Sequence, residues 1–208
     1  MVWNVSAREV FPAGFSGGHV RRDATDNRDK LVKAAEQVFA EHGPAATLDD
    51  IARAAGVGPA TLYRRFANKE ALVQEVLAGF FQRLIEVADT AAAAEPEHGV
   101  ELFLRTVGVE LAEKAGLSAP VWGDLAPRAL VAELRRRSTD LLTRAQRVGA
   151  VRADLTPDDI TIAVWALRGV IQSERIDPAH RGRQRWQRHL DTIMRGFSPA
   201  GAARRPGS

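Results

Sequence analysis

The run Thr47-Leu-Asp-Asp-Ile-Ala-Arg-Ala-Ala-Gly-Val-Gly-Pro-Ala-Thr-Leu-Tyr-Arg-Arg-Phe66 decides how this chain folds. Thr47 followed by Asp50 is a capping box: the hydroxyl accepts a backbone N–H while the carboxylate reaches back to the cap. Leu48, Ile51, Ala52 and Ala55 then recur at helical spacing and make an apolar face of mostly small residues. Gly56 stands where a left-handed residue ends a helix without a Cβ penalty. Gly58 caps the next helix, and Pro59 fills its first turn, where the missing N–H costs nothing. Leu62 and Phe66, one helical turn apart, face inward, and Val57 anchors the turn. The spacing predicts a helical hairpin whose second member turns Thr61, Tyr63, Arg64 and Arg65 toward solvent or a partner.

Charge separates two readings of that hairpin. One is a helical pair with a solvated basic face; the other is a reader of duplex DNA. From Ile51 through Lys69 there is no Asp or Glu, while Arg53, Arg64, Arg65 and Lys69 are cationic. A field of one sign suits a phosphate backbone, whose condensed counterions are released as the phosphates are neutralised. An exposed Tyr beside two Arg on a short helix fits a major groove. These features favour the DNA reader.

The same residues resemble the DNA-binding signature of the TetR (tetracycline repressor) family. The pattern Ala-Gly-Val-x-x-x-Thr-Leu-Tyr-x-x-Phe-x-x-Lys-Glu-x-Leu runs from Ala55 to Leu72, and the preceding segment Arg28–Gly43 resembles the family's first helix. The strong likeness covers roughly residues 26–75. Many members carry Ser or Thr where this chain has Gly58, a change that costs the cap only a few tenths of a kcal/mol. Many carry Gly at the position of Ala60, which bears on how closely the backbone approaches DNA. The resemblance implies a DNA-contacting set of Thr47, Leu48, Gly58, Pro59, Ala60, Thr61, Tyr63, Arg64, Arg65 and Lys69.

Composition is consistent with a helical regulator. The 208 residues suffice for one large or two small domains, and 45% are hydrophobic, enough for a core. Net charge is only +3, so affinity for nucleic acid has to come from a local patch. The chain has no Cys, which excludes a disulfide scaffold and a Cys-based metal site and suits a cytoplasmic protein. No apolar run reaches the roughly 18 residues of a membrane span. The first twenty residues lack the layout of a signal peptide.

Residues 1–24, with Pro12, Gly14, Gly17 and Gly18, read as a flexible arm, and its Arg21-Arg22 pair is either part of a disordered tail or a minor-groove contact. Residues 25–71 form the helix-turn-helix domain, with Leu31, Ala34, Ala35, Val38 and Phe39 striping the first helix. Asn68 caps a linking helix over 68–95, roughly 35–40 Å long at 1.5 Å per residue, with Leu72, Val76, Phe80 and Leu84 inward. A second helical unit, expected for ligand binding and dimerisation, covers 96–198, and 199–208 is a tail. Arg135-Arg136-Arg137 reads as a solvated helix face. Thr156 to Asp159 is a second capping box, opening a helix to about Gln172.

That helix is apolar nearly all round, so it has to be buried on two sides. Either a second copy covers one side or a monomer buries both helices internally. The family's dimers are four-helix bundles of the last two long helices, which implies an interface from Ile160, Val164, Leu167, Ile171, Trp186, Leu190, Ile193 and Met194. The resemblance further implies repression relieved by an effector, with a palindromic double-stranded DNA operator as the other partner. Phe103, Val107, Trp122, Leu134, Leu141 and Trp165 are the candidate pocket, each of them also explicable as ordinary core, and their bias points to a small, mainly apolar ligand. Thr61 and Tyr63 would pack on bases and phosphates, and Arg64 or Arg65 would make a bidentate guanine contact. No cofactor, metal site or catalytic residue is expected. The His residues fall in no ligand spacing, Asp49-Asp50 and Asp158-Asp159 are helix-start carboxylates, and no nucleophile or nucleotide motif occurs. A helical ligand carrier without DNA binding fits the second unit equally well, but leaves Tyr63, Arg64, Arg65 and Lys69 unexplained.

Overall fold

The computed structural model describes residues 17–115, 124–176 and 185–199, and every regular element among them is a helix. In order these are α1 (Gly17–His42), α2 (Leu48–Ala55), α3 (Pro59–Arg65), α4 (Lys69–Ala93), α5 (Pro96–Glu113), α6 (Arg128–Arg147), α7 (Pro157–Ile176) and α8 (Arg185–Phe197). Residues 1–16 of the expected arm, Trp122 of the expected pocket and residues 200–208 of the expected tail lie outside the described residues.

Helix α1 begins at Gly17, so residues 17–24 are helix rather than arm. No Pro or Gly interrupts the chain from His19 to His42, and a helix already nucleated on the buried stripe extends backward through such residues. The polar composition there carries no apolar period, which is why the spacing alone placed the start later.

Two hydrophobic cores are built on one shared helix. The first packs Leu31, Ala35 and Phe39 of α1, Ile51 of α2, Leu62 of α3 and Phe66 against Leu72, Val73, Val76 and Leu77 of α4. The second packs Phe80, Leu84, Ala88 and Ala91 of α4 against Phe103, Leu104 and Val107 of α5, Leu141 and Leu142 of α6, Ile160, Leu167 and Ile171 of α7, and Trp186 and Leu190 of α8. Helix α4 is 25 residues long, about 37 Å at 1.5 Å per residue, and its inward stripe passes from one core to the other without a break. Asn68 caps it, its side-chain oxygen accepting the Ala71 N–H at 2.8 Å.

Polar contacts tie the ends of the second unit. The Gln146 amide donates to the carbonyls of Arg152, Ala153 and Leu155, which closes the loop between α6 and α7. The Arg152 N–H donates to Phe197 O at 2.8 Å and holds that loop to the end of α8. The Thr156 N–H and hydroxyl both donate to the Asp159 carboxylate, at 2.7 and 2.8 Å, to open α7.

One packing contact depends on the absence of a side chain. The six-membered ring of Trp186 on α8 lies so close over Gly108 of α5 that a Cβ at 108 would sit 2.3 Å from its Cζ3. Both residues are buried, so the ring cannot move outward without opening the core. Gly108→Ala is therefore expected to lower stability by about 1–3 kcal/mol through overpacking, read as a fall in the thermal midpoint. An unchanged midpoint would show that the ring has room to shift.

Candidate DNA-reading surface and effector cleft

The hairpin is set by its caps. The Thr47 hydroxyl accepts the Asp50 N–H at 3.1 Å, and the Asp50 carboxylate accepts the Thr47 N–H at 3.2 Å, so both halves of the capping box form. The Thr47 hydroxyl also donates to that carboxylate at 2.5 Å, and this bond, ahead of the one from the Thr47 N–H, holds the Asp50 carboxyl below the usual carboxylate range. At the other end Gly56 takes φ +66°. The Gly56 and Val57 N–H groups return to the Arg53 and Ala52 carbonyls, the pairing that closes a helix on a left-handed residue. Gly58, with φ −69° and ψ 146°, starts α3, and Pro59 follows.

Helix α3 buries Leu62 completely, and Phe66 just beyond it is buried as well. A seven-residue helix anchored by these two side chains has one orientation, and its other face is open. Tyr63 is 54% exposed; Arg64 and Arg65 are exposed, as are Gly58, Pro59 and Ala60, while Thr61 is half-buried. Arg64 donates to the Thr61 hydroxyl at 3.1 Å, which orients its guanidinium along the helix. Thr47 at the start of α2 is exposed and Leu48 half-buried. Arg53 is paired with Asp50 at 3.0 Å, so the net positive field of the hairpin is concentrated at the end of α3. Lys69, a member of the DNA-contacting set that the resemblance implies, stands at the first turn of α4. Its Nζ donates to Pro44 O at 2.7 Å and lies 6.0 Å from the centroid of the Phe39 ring, clamping the start of α4 to the turn after α1.

The second unit contains a cleft of about 590 Å³. Its walls come from Leu77, Phe80, Phe81 and Leu84 of α4, Phe103 and Leu111 of α5, Val131 and Leu134 of α6, and Ile160, Ile162, Val164 and Trp165 of α7. Phe80 and Phe81 meet edge to face at 5.9 Å, so adjacent residues of α4 serve the core and the cleft together. The polar lining is small: Arg135 paired with Asp158, the Ser138 and Thr161 hydroxyls bonded to carbonyls of their own helices, and Arg168.

An ionic cluster lies where the two units meet. Arg83 of α4 is 3.1 Å from Glu36 of α1 and 3.6 Å from Glu110 of α5, and Lys114, just after α5, is 3.5 Å from Glu36. Arg83 shares α4 with the cleft residues Phe80 and Leu84, and Glu110 precedes the cleft residue Leu111. Leu125, from the stretch before α6, packs on the first core and adds an apolar contact between the units.

Known proteins place this architecture. The tetR family of bacterial regulatory proteins matches residues 31–76, and the transcriptional regulator SbtR-like C-terminal domain matches residues 95–199, half of the chain. The chain is similar to the HTH-type transcriptional repressor KstR2 of Mycolicibacterium smegmatis, 41% identical over 71 residues, or 32% of this chain and 35% of that protein. It thus spans about a third of the length of that relative. Similarity to the HTH-type transcriptional repressor DhaR of Mycobacterium sp. strain GP1 is longer, 28% identity over 192 residues, 85% of this chain and 94% of DhaR. The solved TetR transcription regulatory protein from Mycobacterium vanbaalenii superposes with a TM-score of 0.58 at 31% identity, over 86% of this chain and 99% of that one. The chain belongs to the TetR family. That membership puts it among transcriptional regulators and not among enzymes.

Within this TetR-family chain the structure redistributes several residues. Of the expected pocket, Phe103, Leu134 and Trp165 line the cleft, whereas Val107 and Leu141 are 1% and 3% exposed and belong to the core. Of the expected dimer interface, Ile160, Leu167, Ile171, Trp186 and Leu190 are buried in the chain's own core, and Val164, Ile193 and Met194 pack half-buried against it. Leu167 and Leu190, at 0% exposure, have no surface left with which to meet a second copy. The face of α7 that does stay open carries Ile162 at 57% and Trp165 at 64% exposure. Helical periodicity locates an apolar face, but when apolar residues occupy every face it cannot tell which one the chain covers itself. Sequence reasoning also missed Phe81, Ile162 and Arg168. The adjacent pair Phe80-Phe81 was the available signal, since neighbours point about 100° apart on a helix and a second aromatic there widens the apolar face beyond the inward stripe.

The caps make a measurable claim about the hairpin. Thr47→Ala is expected to cost about 1 kcal/mol in stability. The Asp50 carboxyl is depressed in the folded state, so its contribution is present above the unfolded pKa of about 4 and is lost as pH falls through the lower folded value. The variant should therefore show a smaller loss of stability than the parent between pH 5 and pH 3, both ranges taken as about one unit either side of that pKa. Parallel acid profiles in thermal melts would show that the capping contact contributes nothing.

Proposed function

We propose that this chain is a ligand-responsive transcriptional repressor that binds a two-fold-symmetric DNA operator as a homodimer in the cytoplasm. The observation that carries the reading is the open face of α3, where Tyr63, Arg64 and Arg65 stand exposed on a helix locked by Leu62 and Phe66. A helix-turn-helix places such a face in the major groove, where its first turns meet base edges and neighbouring cations meet phosphates. Gly58, Pro59, Ala60, Thr61 and Tyr63 form the edge that enters, and Thr47 and Leu48 at the start of α2 approach the backbone. Lys69 supports this surface by holding α4 against the turn at Pro44. The relatives KstR2 and DhaR are described as repressors, which supports that direction of control.

The effector site of this reading is the apolar cleft. A ligand that prefers one arrangement of α4 against α5 and α7 shifts the equilibrium between DNA-competent and released forms by its difference in affinity. Phe80, Phe81 and Leu84 bring α4 into contact with that ligand, and Leu72 to Leu77 carry the same rigid helix into the DNA-binding core. Arg83 and Glu36 link α4 to α1 at the same level, so movement of α4 reaches α1 through charge as well as packing.

A gel shift on the gene's own upstream region tests the DNA reading. Specific binding is expected to weaken steeply with salt, and Arg64→Ala or Arg65→Ala should reduce affinity by about 1–3 kcal/mol where a base contact is lost. Loss of a phosphate contact should instead lower the salt slope by about one. Both residues are exposed, so thermal midpoints should not change. Normal binding by both variants would overturn the assignment of α3 as the reading helix.

Dimerisation has its own test. Trp165→Asp and Ile162→Asp alter the open face of α7, and light scattering should show monomer mass with the helix content kept. Leu167→Asp, a charge in the core, should unfold the chain instead. A dimer that survives both surface variants would place the interface elsewhere.

A further inference from the structure

The effector cleft has one charge more than its walls balance. Among the described residues its lining holds three charged groups, and two of them, Arg135 and Asp158, are paired with each other at the rim. The third is Arg168 of α7. Among the described residues its guanidinium makes no ion pair and no hydrogen bond, although it is half-buried beside Val164 and Trp165. Burial holds its pKa below the ordinary arginine value. The Ser138 and Thr161 hydroxyls spend their protons on the Arg135 and Pro157 carbonyls. Among the described residues, everything else facing the space is aliphatic or aromatic.

A guanidinium that is partly desolvated and has no partner in the chain gains more from an anion that reaches it than one in open water does. Its planar fork takes a carboxylate through two parallel hydrogen bonds, each strengthened by charge and by the apolar surroundings. A cleft of about 590 Å³ lies within the range of small-molecule sites, and its aromatic walls exclude a strongly hydrated polyol or a dication. The geometry points to an amphipathic monoanion as the effector: an apolar body among Phe80, Phe81, Phe103 and Trp165, with a carboxylate head on Arg168. This rests on the reading of the cleft as the effector site and adds its ligand chemistry. The rim pair is excluded as the anchor, because Asp158 already neutralises Arg135 and would repel a second carboxylate.

The test uses three probes with one body and different heads: decanoate, decan-1-ol and decylamine, each below its aggregation limit. Binding to the full chain is followed by tryptophan fluorescence and calorimetry. Decanoate is expected to bind about tenfold or more tighter than the alcohol, and the amine weakest, as charged hydrogen bonds predict. Arg168→Gln should bring decanoate within about threefold of the alcohol, leaving alcohol affinity and light-scattering mass unchanged and the thermal midpoint no lower than the parent's. Equal binding of acid and alcohol by the parent chain would overturn the charged-head assignment while leaving the cleft reading in place. A preference for the acid that survives Arg168→Gln would overturn Arg168 as its anchor. Failure of all three probes to bind would overturn both the ligand class and the cleft as a small-molecule site.

Discussion

The structure depends on α4 belonging to two cores at once. Leu72, Val73, Val76 and Leu77 are buried with the helix-turn-helix, and Phe80, Leu84, Ala88 and Ala91 are buried with α5 to α8. A packed helix moves as a rod, because its backbone hydrogen bonds and interdigitated side chains resist bending more than sliding. Whatever displaces one half of α4 therefore displaces the other. The cleft touches this rod just where one core gives way to the other, at Leu77 and Phe80. No hinge or flexible linker is needed to couple the two units.

Charge is arranged around that rod in three separate places. At the end of α3 the arginines are left exposed, which suits contact with a phosphate backbone. Between the units, Glu36, Arg83, Glu110 and Lys114 neutralise one another while half-buried, which gives α1, α4 and α5 a preferred register. Along α6, Arg136 and Arg137 close on Glu133, whose carboxyl they draw down to about 2, and Arg137 also meets Asp89 of α4. The arginine run of α6 is thus a set of ion pairs on a solvated face and is poorly suited to nucleic acid. Surface pairs of this kind contribute little each, and their effect is to keep the helix faces oriented.

Much of the DNA-reading end was legible in advance because its determinants are local. A capping box, a left-handed glycine and a proline in the first turn each act over three or four residues, so Thr47, Asp50, Gly56, Gly58 and Pro59 state where α2 and α3 begin and end. Leu62 and Phe66 then leave Tyr63, Arg64 and Arg65 on the opposite side by the geometry of one helical turn. The second unit was legible only as helices. Helix α7 has apolar residues on nearly every face, and its own pattern contains nothing to choose between Leu167 and Trp165 as the buried one. The choice is made by α5 and α8, which cover Leu167 and leave Trp165 open.

Sequence by itself determined the helical class, the bounds of the hairpin, the inward stripe of α4 and the cationic surface of α3, since each follows from spacing within a few turns. Tertiary structure alone decided that Val107 and Leu141 are core while Phe81 and Arg168 face the cleft. It alone brought Glu36 to Arg83 across 47 positions and tied Lys69 to Pro44. The physical reason is range: caps and periodicity are short-range properties of one segment, whereas a cavity or an ion pair between helices exists only after distant segments have packed.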